Sequence, residues 1–174
     1  LDDGSGVNTF SKLQNVVTEK VNQFNTSLGV LQQYAKTHTD PSLLGTDQPT
    51  VQNYLDLGIA SVTPINLEAI NSALATSLVT DAEVNTAQAV SAVVNAYADI
   101  FKAANGVYNP GTTISANDYS LLGISGVGSS AVKLKLLSDV IDRQSEGGVN
   151  TTVKLQALAD KVTAVMNTAA NATG

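Results

Sequence analysis

His38 is the single imidazole in a chain of 174 residues, and its neighbours are Thr37, Thr39 and Asp40. A nucleophilic triad would need a serine and a carboxylate brought to that ring. The strained elbow that exposes such a serine has the pattern Gly-x-Ser-x-Gly, and Gly123-Ile124-Ser125-Gly126 lacks its second spacing. His38 therefore reads as a solvated loop residue. Paired carboxylates could serve glycoside hydrolysis or calcium binding. The four glutamates, Glu19, Glu68, Glu83 and Glu146, show no such pairing. Asp139 and Asp142 stand three residues apart, and Asp2-Asp3-Gly4-Ser5-Gly6 is loop-like. Neither has the alternating oxygen ligands and closing glutamate of a calcium hand, so a weak surface calcium site is the most they admit. The glycines from Gly123 to Gly128 and at Gly147-Gly148 lack the following Lys-Ser/Thr of a phosphate cradle. Tyr34, Tyr54, Tyr97 and Tyr119 could stack on a sugar, but Tyr54, Tyr97 and Tyr119 fall on apolar helical faces and read as packing. No catalytic, cofactor-binding or metal-binding residue is assigned, and the chain reads as a non-enzyme.

Composition narrows the classes further. Without cysteine there is no disulfide, thiolate metal site or thiol nucleophile. Nine Lys+Arg against fifteen Asp+Glu leave a net charge of −6, which argues against a nucleic-acid partner. At 43% hydrophobic residues the chain can build a core. No apolar run approaches the roughly 18–20 residues of a membrane span, so no membrane insertion is expected. Asn25-Thr26-Ser27, Asn150-Thr151-Thr152 and Asn171-Ala172-Thr173 are formal glycosylation acceptors that matter only in a eukaryotic secretory setting.

Repetition organises what remains. Val-Asn-Thr occurs at Val7, Val84 and Val149, and Tyr-x-x-Leu-Gly-Ile at Tyr54 and Tyr119. The last two copies of the tripeptide and the two copies of the longer marker share one offset, in one order. The first interval is longer, and its extra residues fall around Lys36 to Pro49, which reads as an enlarged loop.

After each Val-Asn-Thr the apolar residues take helical spacing. They are Val90, Val93, Val94, Tyr97, Ile100 and Phe101 in one stretch. Leu155, Leu158, Ala159, Val162, Val165 and Met166 match them, and Leu13, Val16 and Val17 begin the same stripe before Lys20 interrupts it. A medium helix follows each Tyr marker, the first with Leu67, Ile70 and Leu74 as its apolar face and the second with Leu134, Leu137 and Ile141 at the same spacing; Thr63-Pro64 is a fitting start of the first. The marker itself reads as a short helix, capped by Thr50 or Ser115 and closed by Gly58 or Gly123, with Ile59 or Ile124 folding back. Thr80-x-x-Glu83 is a capping box that could start the middle long helix early.

The predicted fold is all-α: tandem three-helix repeats (short, medium, long) packed as a bundle or short solenoid, with no sheet. The whole of 1–174 is one repeat domain. Residues 1–49 form a partial repeat of a long helix and the enlarged loop, 50–114 repeat 1 and 115–174 repeat 2. A medium helix should precede Leu1, as in a segment of a longer protein.

Asp118-Tyr119-x-x-Leu122-Gly123-Ile124-x-Gly126-Val127, the helix start Asn66-Leu67-x-x-Ile70-Asn71 and the Val-Asn-Thr helix together resemble the helical tandem repeats of very large bacterial surface and secreted proteins, including adhesin-like ones. The resemblance covers about residues 50–174 well and the first fifty loosely. It implies a structural or adhesive segment of an extracellular or cell-surface protein, with neighbouring repeats or domains of that protein as partners and a cell-surface or matrix partner beyond them. An acidic chain without thiols suits that setting. The alternative is a ligand-binding module that holds a peptide, glycan or apolar molecule in a groove between repeats.

Overall fold

Where apolar residues recur every three or four positions without proline, the chain is helical; Pro41, Pro49 and Pro64 all lie between helices. The computed structural model describes residues 5–104 and 114–172. They form α1 (Ser5–Thr37), α2 (Val51–Asp56), α3 (Leu67–Leu74), α4 (Ala87–Ala103), α5 (Ala116–Leu121), α6 (Ala131–Asp142) and α7 (Thr152–Ala172). A 3₁₀ turn at Glu146–Gly148 precedes α7, and no strand occurs among the described residues. The expected all-α class is therefore observed.

The core is centred on α4, which packs against α3, α5 and α6. Its Val90, Val93, Val94, Tyr97 and Ile100 are buried. Helix α7 lies on α6 and α3 and contributes Leu155, Ala159 and Val162; α1 lies on α2 and α3 and contributes Leu31, Tyr34 and Ala35. Two buried hydrogen bonds lock α7 to the end of α3: Thr152 N donates to Ser72 Oγ (2.9 Å) and Thr152 Oγ1 donates to Ser72 O (3.0 Å).

The short helices stop as the glycine positions predict. In α2 the N–H of Gly58 donates to Leu55 O (2.9 Å) and that of Ile59 to Tyr54 O (2.9 Å). In α5 Gly123 N donates to Ser120 O (3.0 Å) and Ile124 N to Tyr119 O (2.9 Å). This is the paired closure that needs a left-handed residue, and φ is +79° at Gly58 and +68° at Gly123. Ile59 and Ile124 fold back and are buried. At the other end, Thr50 N donates to Asn53 Oδ1 (2.8 Å) and Ser115 N to Asp118 Oδ2 (3.0 Å), the reciprocal arrangement that starts a helix.

Four details differ from expectation. Thr80 does bond the Glu83 carboxylate, but the box closes a single turn, and α4 starts only after Thr86, whose hydroxyl accepts from Ala89 N. Thr63-Pro64 likewise opens a turn, and regular helix begins at Leu67 after Asn66. The loop after α1 is not enlarged: thirteen residues separate Thr37 from Val51, against twelve between Ala103 and Ala116. The extra length lies in α1, 33 residues long. Its stripe of Leu13, Val16 and Val17, read as the start of an apolar helical face, is exposed. Val165 near the end of α7 is exposed as well, although the adjacent Met166 packs against the core.

The two helix-stopping glycines have unequal surroundings. A Cβ on Gly58 would meet nothing within 4 Å, whereas one on Gly123 would lie 2.8 Å from Cβ of the buried Thr76. Gly58→Ala should cost about 1 kcal/mol, the backbone penalty alone. Gly123→Ala adds overpacking and should cost about 2–4 kcal/mol. Denaturant melts of the two variants check this ordering.

Candidate functional site

His38 is not the solvated residue expected. Its ring stacks on Tyr34, four residues earlier on the same helical face, with centroids 4.2 Å apart. Nδ1 lies 3.2 Å from Tyr34 O, and Nε2 lies 3.2 Å from Asp47 Oδ1, so each ring nitrogen faces an oxygen. The side chain is only 16% exposed. Tyr34 donates to Leu44 O (2.9 Å), tying the same loop to α1. Gly45, with φ +70°, lets the backbone pass over this pair: a Cβ there would sit 2.8 Å from both His38 Nε2 and Asp47 Oδ1. His38 thus anchors residues 38–50. Among the described residues no serine completes a triad with it.

The tyrosines point inward, as the packing reading predicts. Tyr54 Oη donates to Asn71 Oδ1 (2.7 Å), and Asn71 Nδ2 donates to Pro49 O (2.8 Å), joining α2, α3 and the preceding loop. Tyr97 donates to Val149 O (2.9 Å) beside α7. Tyr119 is buried with no hydrogen-bond partner for its hydroxyl. Its neighbour Ser138 Oγ instead accepts from Ile114 N (3.0 Å). Burial raises all four phenols above their ordinary value; Tyr34, also facing the Asp47 carboxylate, is pushed up to about 12.

Two of the open clefts bear on binding. One, of about 560 Å³, lies between α1 and α2 and is lined by Asn15, Thr18, Asn22, Ser27, Asn53 and Asp56. Ser27 Oγ donates to Asp56 Oδ2 (2.8 Å), Gln52 Nε2 to Asp56 Oδ1 (2.7 Å) and Asn53 Nδ2 to Ser27 Oγ (3.2 Å). Gln52 and Ser27 hold the Asp56 carboxyl below the usual carboxylate range. Ser27, Asn53 and Asp56 are thus committed to bonds within the α1–α2 contact. The other cleft, also about 560 Å³, lies where α7 meets the segments 76–78 and 123–125. Leu78 and Val153 give it an apolar floor that stays partly exposed. Gln156 pins one wall by accepting from Ser125 N (2.9 Å) and donating to Ser125 O (3.2 Å). This cleft has the chemistry to hold an apolar or hydroxylated segment. It presents no nucleophile paired with a base.

Of the carboxylates singled out for calcium, Asp139 is held by Lys135 (3.0 Å) and Asp142 is buried in α6. Asp2, Asp3 and Gly4 lie outside the described residues, while Ser5 and Gly6 open α1. Thr173 of the last glycosylation acceptor also lies outside them. Sequence reasoning marks Gly45 only as one residue of the Lys36–Pro49 loop and misses Asp47, whose contact with His38 no local pattern signals. No family model, no curated protein and no solved structure matches the chain.

Two outcomes follow from this geometry. His38→Ala removes the stack and both ring contacts and should destabilise by about 1–2 kcal/mol. Leu43→Ala, at an exposed position of the same loop, should stay within about 0.5 kcal/mol; paired denaturant melts compare them. The raised phenols also set an alkaline limit. A phenol titrating near 10 when unfolded and near 12 at Tyr34 when folded stabilises the native state fully below pH 10. That contribution is lost as pH rises through the folded value. In a Tyr108→Phe background, which leaves only these four phenols, phenolate absorbance at 295 nm should therefore appear together with loss of helical circular dichroism above about pH 10, not before it.

Proposed function

We propose that the chain is a non-catalytic scaffold segment, made of short–medium–long helical units stacked side by side, within a large extracellular protein of the bacterial surface or adhesin type. The units are α2–α3–α4 and α5–α6–α7, with α1 as the long helix of a partial unit before them. The observation that carries this reading is the seam between units. Thr152 of one is bonded to Ser72 of the other inside a continuous apolar cluster that runs from Leu31 to Val162. Nearest-neighbour burial of this kind is how a stacked array stays rigid along its length. The matched helix stops at Gly58 and Gly123 and the order of helix lengths support the same unit. The acidic, cysteine-free composition and the resemblance of the Tyr-x-x-Leu-Gly-Ile segments support the setting. Partners in this reading are adjoining segments of the same protein and a surface or matrix component.

A second reading has its own observation. The cleft with the Leu78 and Val153 floor lies at the seam, and a peptide, glycan or apolar molecule would fit it.

Equilibrium unfolding tests the scaffold. Circular dichroism and tyrosine fluorescence should give one coincident transition, and Thr152→Ala should lower the unfolding free energy by about 1–3 kcal/mol for both probes. Two separated transitions would refute a rigid stack. For the second reading, saturable binding of a peptide or glycan library member that Leu78→Asp abolishes would displace the scaffold reading.

A further inference from the structure

Helix α1 has one apolar face of two fates. Leu28 and Leu31 pack against the core, with Phe24 partly covered. The same face continues towards the N-terminus through Val21, Val17, Leu13 and Phe10, which are 52%, 54%, 60% and 63% exposed. At 100° per residue these positions lie on one stripe, while Lys12 and Glu19 project from the opposite side. Beside the stripe, where α1 meets α2, is a cleft of about 470 Å³ lined by Lys20, Val21, Phe24, Leu55 and Asp56. Leu55 is 44% exposed.

We propose that this face is a contact between two copies of the chain, paired antiparallel along α1 about a two-fold axis near Asn15–Val16. Each Phe10 then enters the other copy's cleft of Val21, Phe24 and Leu55.

The stripe is complementary to itself: a projecting aromatic at one end, a cleft at the other. Eleven to fourteen residues separate them, about 17–21 Å of helix, and rotation about the midpoint exchanges the two ends. The area is adequate. The four stripe side chains with Leu55 expose roughly 500 Å² per copy, so a pair covers roughly 1,000 Å², the lower bound of a specific interface. Orientation follows from the position of the rest of the molecule. Because the residues that α1 buries begin only at Ser27, antiparallel pairing leaves the two bodies at opposite ends; parallel pairing would drive α2 against its counterpart. A lipid surface is a poorer occupant. The polar side of this half-helix carries Asn15, Thr18 and Asn22 with Lys12 and Glu19, not the basic face of an interfacial helix.

Sedimentation of the whole chain over roughly 5–500 µM should show a monomer–dimer equilibrium with Kd in the tens of micromolar, the range of low-end interfaces. Phe10→Asp and Leu55→Asp, on different helices, should each raise Kd at least about tenfold with melting unchanged. Val132→Asp, at a residue 69% exposed elsewhere, should leave it unaltered. A spin label on Asn8→Cys should report a label separation of roughly 20 Å or more, the fifteen-residue offset of antiparallel helices. Overturning results are a monomer across the whole range, with or without binding to anionic vesicles, a dimer indifferent to Phe10→Asp and Leu55→Asp, or a label separation near 10 Å that marks parallel pairing.

Discussion

A phenol buried to its oxygen obliges the chain to carry an acceptor to it, since an unmet hydroxyl in an apolar interior costs about 1–3 kcal/mol. With no tryptophan and three phenylalanines, the largest fully buried side chains here are tyrosines. Each satisfied one ties its own helix to a segment outside it. Tyr34 reaches the loop at Leu44, Tyr54 reaches α3 through Asn71, and Tyr97 reaches Val149 just ahead of α7. Asn71 extends the chain of constraint by holding Pro49 O, which sets where α2 can begin. Apolar packing alone is non-directional; these bonds select one arrangement of short helices that could otherwise slide.

The comparison of Tyr54 with Tyr119 shows what happens when the acceptor changes. Asn71 offers a carbonyl to the phenol and an amide to the preceding loop at once. At the corresponding place on α6 stands the shorter Ser138, which accepts from Ile114 N and lies beside the phenol without completing a hydrogen bond to it. The hydroxyl of Tyr119 is left without a partner. The α4–α5–α6 packing therefore carries a cost that the α2–α3 packing avoids, and the seam bonds at Ser72 and Thr152 lie on the better-satisfied side.

What was legible in the chain was local. Gly58 and Gly123 could be placed because a helix stop is decided within about six residues, and the caps at Thr50 and Ser115 for the same reason. The register of α1 was not local. Val7-Asn8-Thr9 copies the later tripeptides, yet it falls inside a helix, and the packed segment is better marked by aromatic pairs four residues apart, Tyr34 with His38 and Tyr97 with Phe101. His38 was misread because its environment depends on Asp47 and Gly45 across a loop closure that no periodicity encodes. The clefts were illegible altogether: Leu78, Ser125 and Val153 meet only after three segments have packed. A carboxylate such as Asp56 likewise looks free in sequence and is bound to Ser27 and Gln52 in the fold.

The exposed half of α1 raises a question of energetics. From Asn8 to Asn22 it is rich in Val, Thr and Asn, residues of middling helix propensity, and a helix of that length alone in water is marginal. Continuity with the packed half supplies the nucleus, so extension needs only propagation. Propagation through valines and threonines gains little per residue, because their side chains lose rotamer freedom against the preceding turn. If solubility were the only demand on this segment, Ala, Glu and Lys would serve it better on every face. Phe10, Leu13, Val17 and Val21 instead line up as one apolar stripe, collinear with the face that α1 already buries at Leu31 and Ala35. A composition that weakens a helix in isolation and strengthens it once covered is that of a packing surface, and the physics of α1 is the same along its whole length.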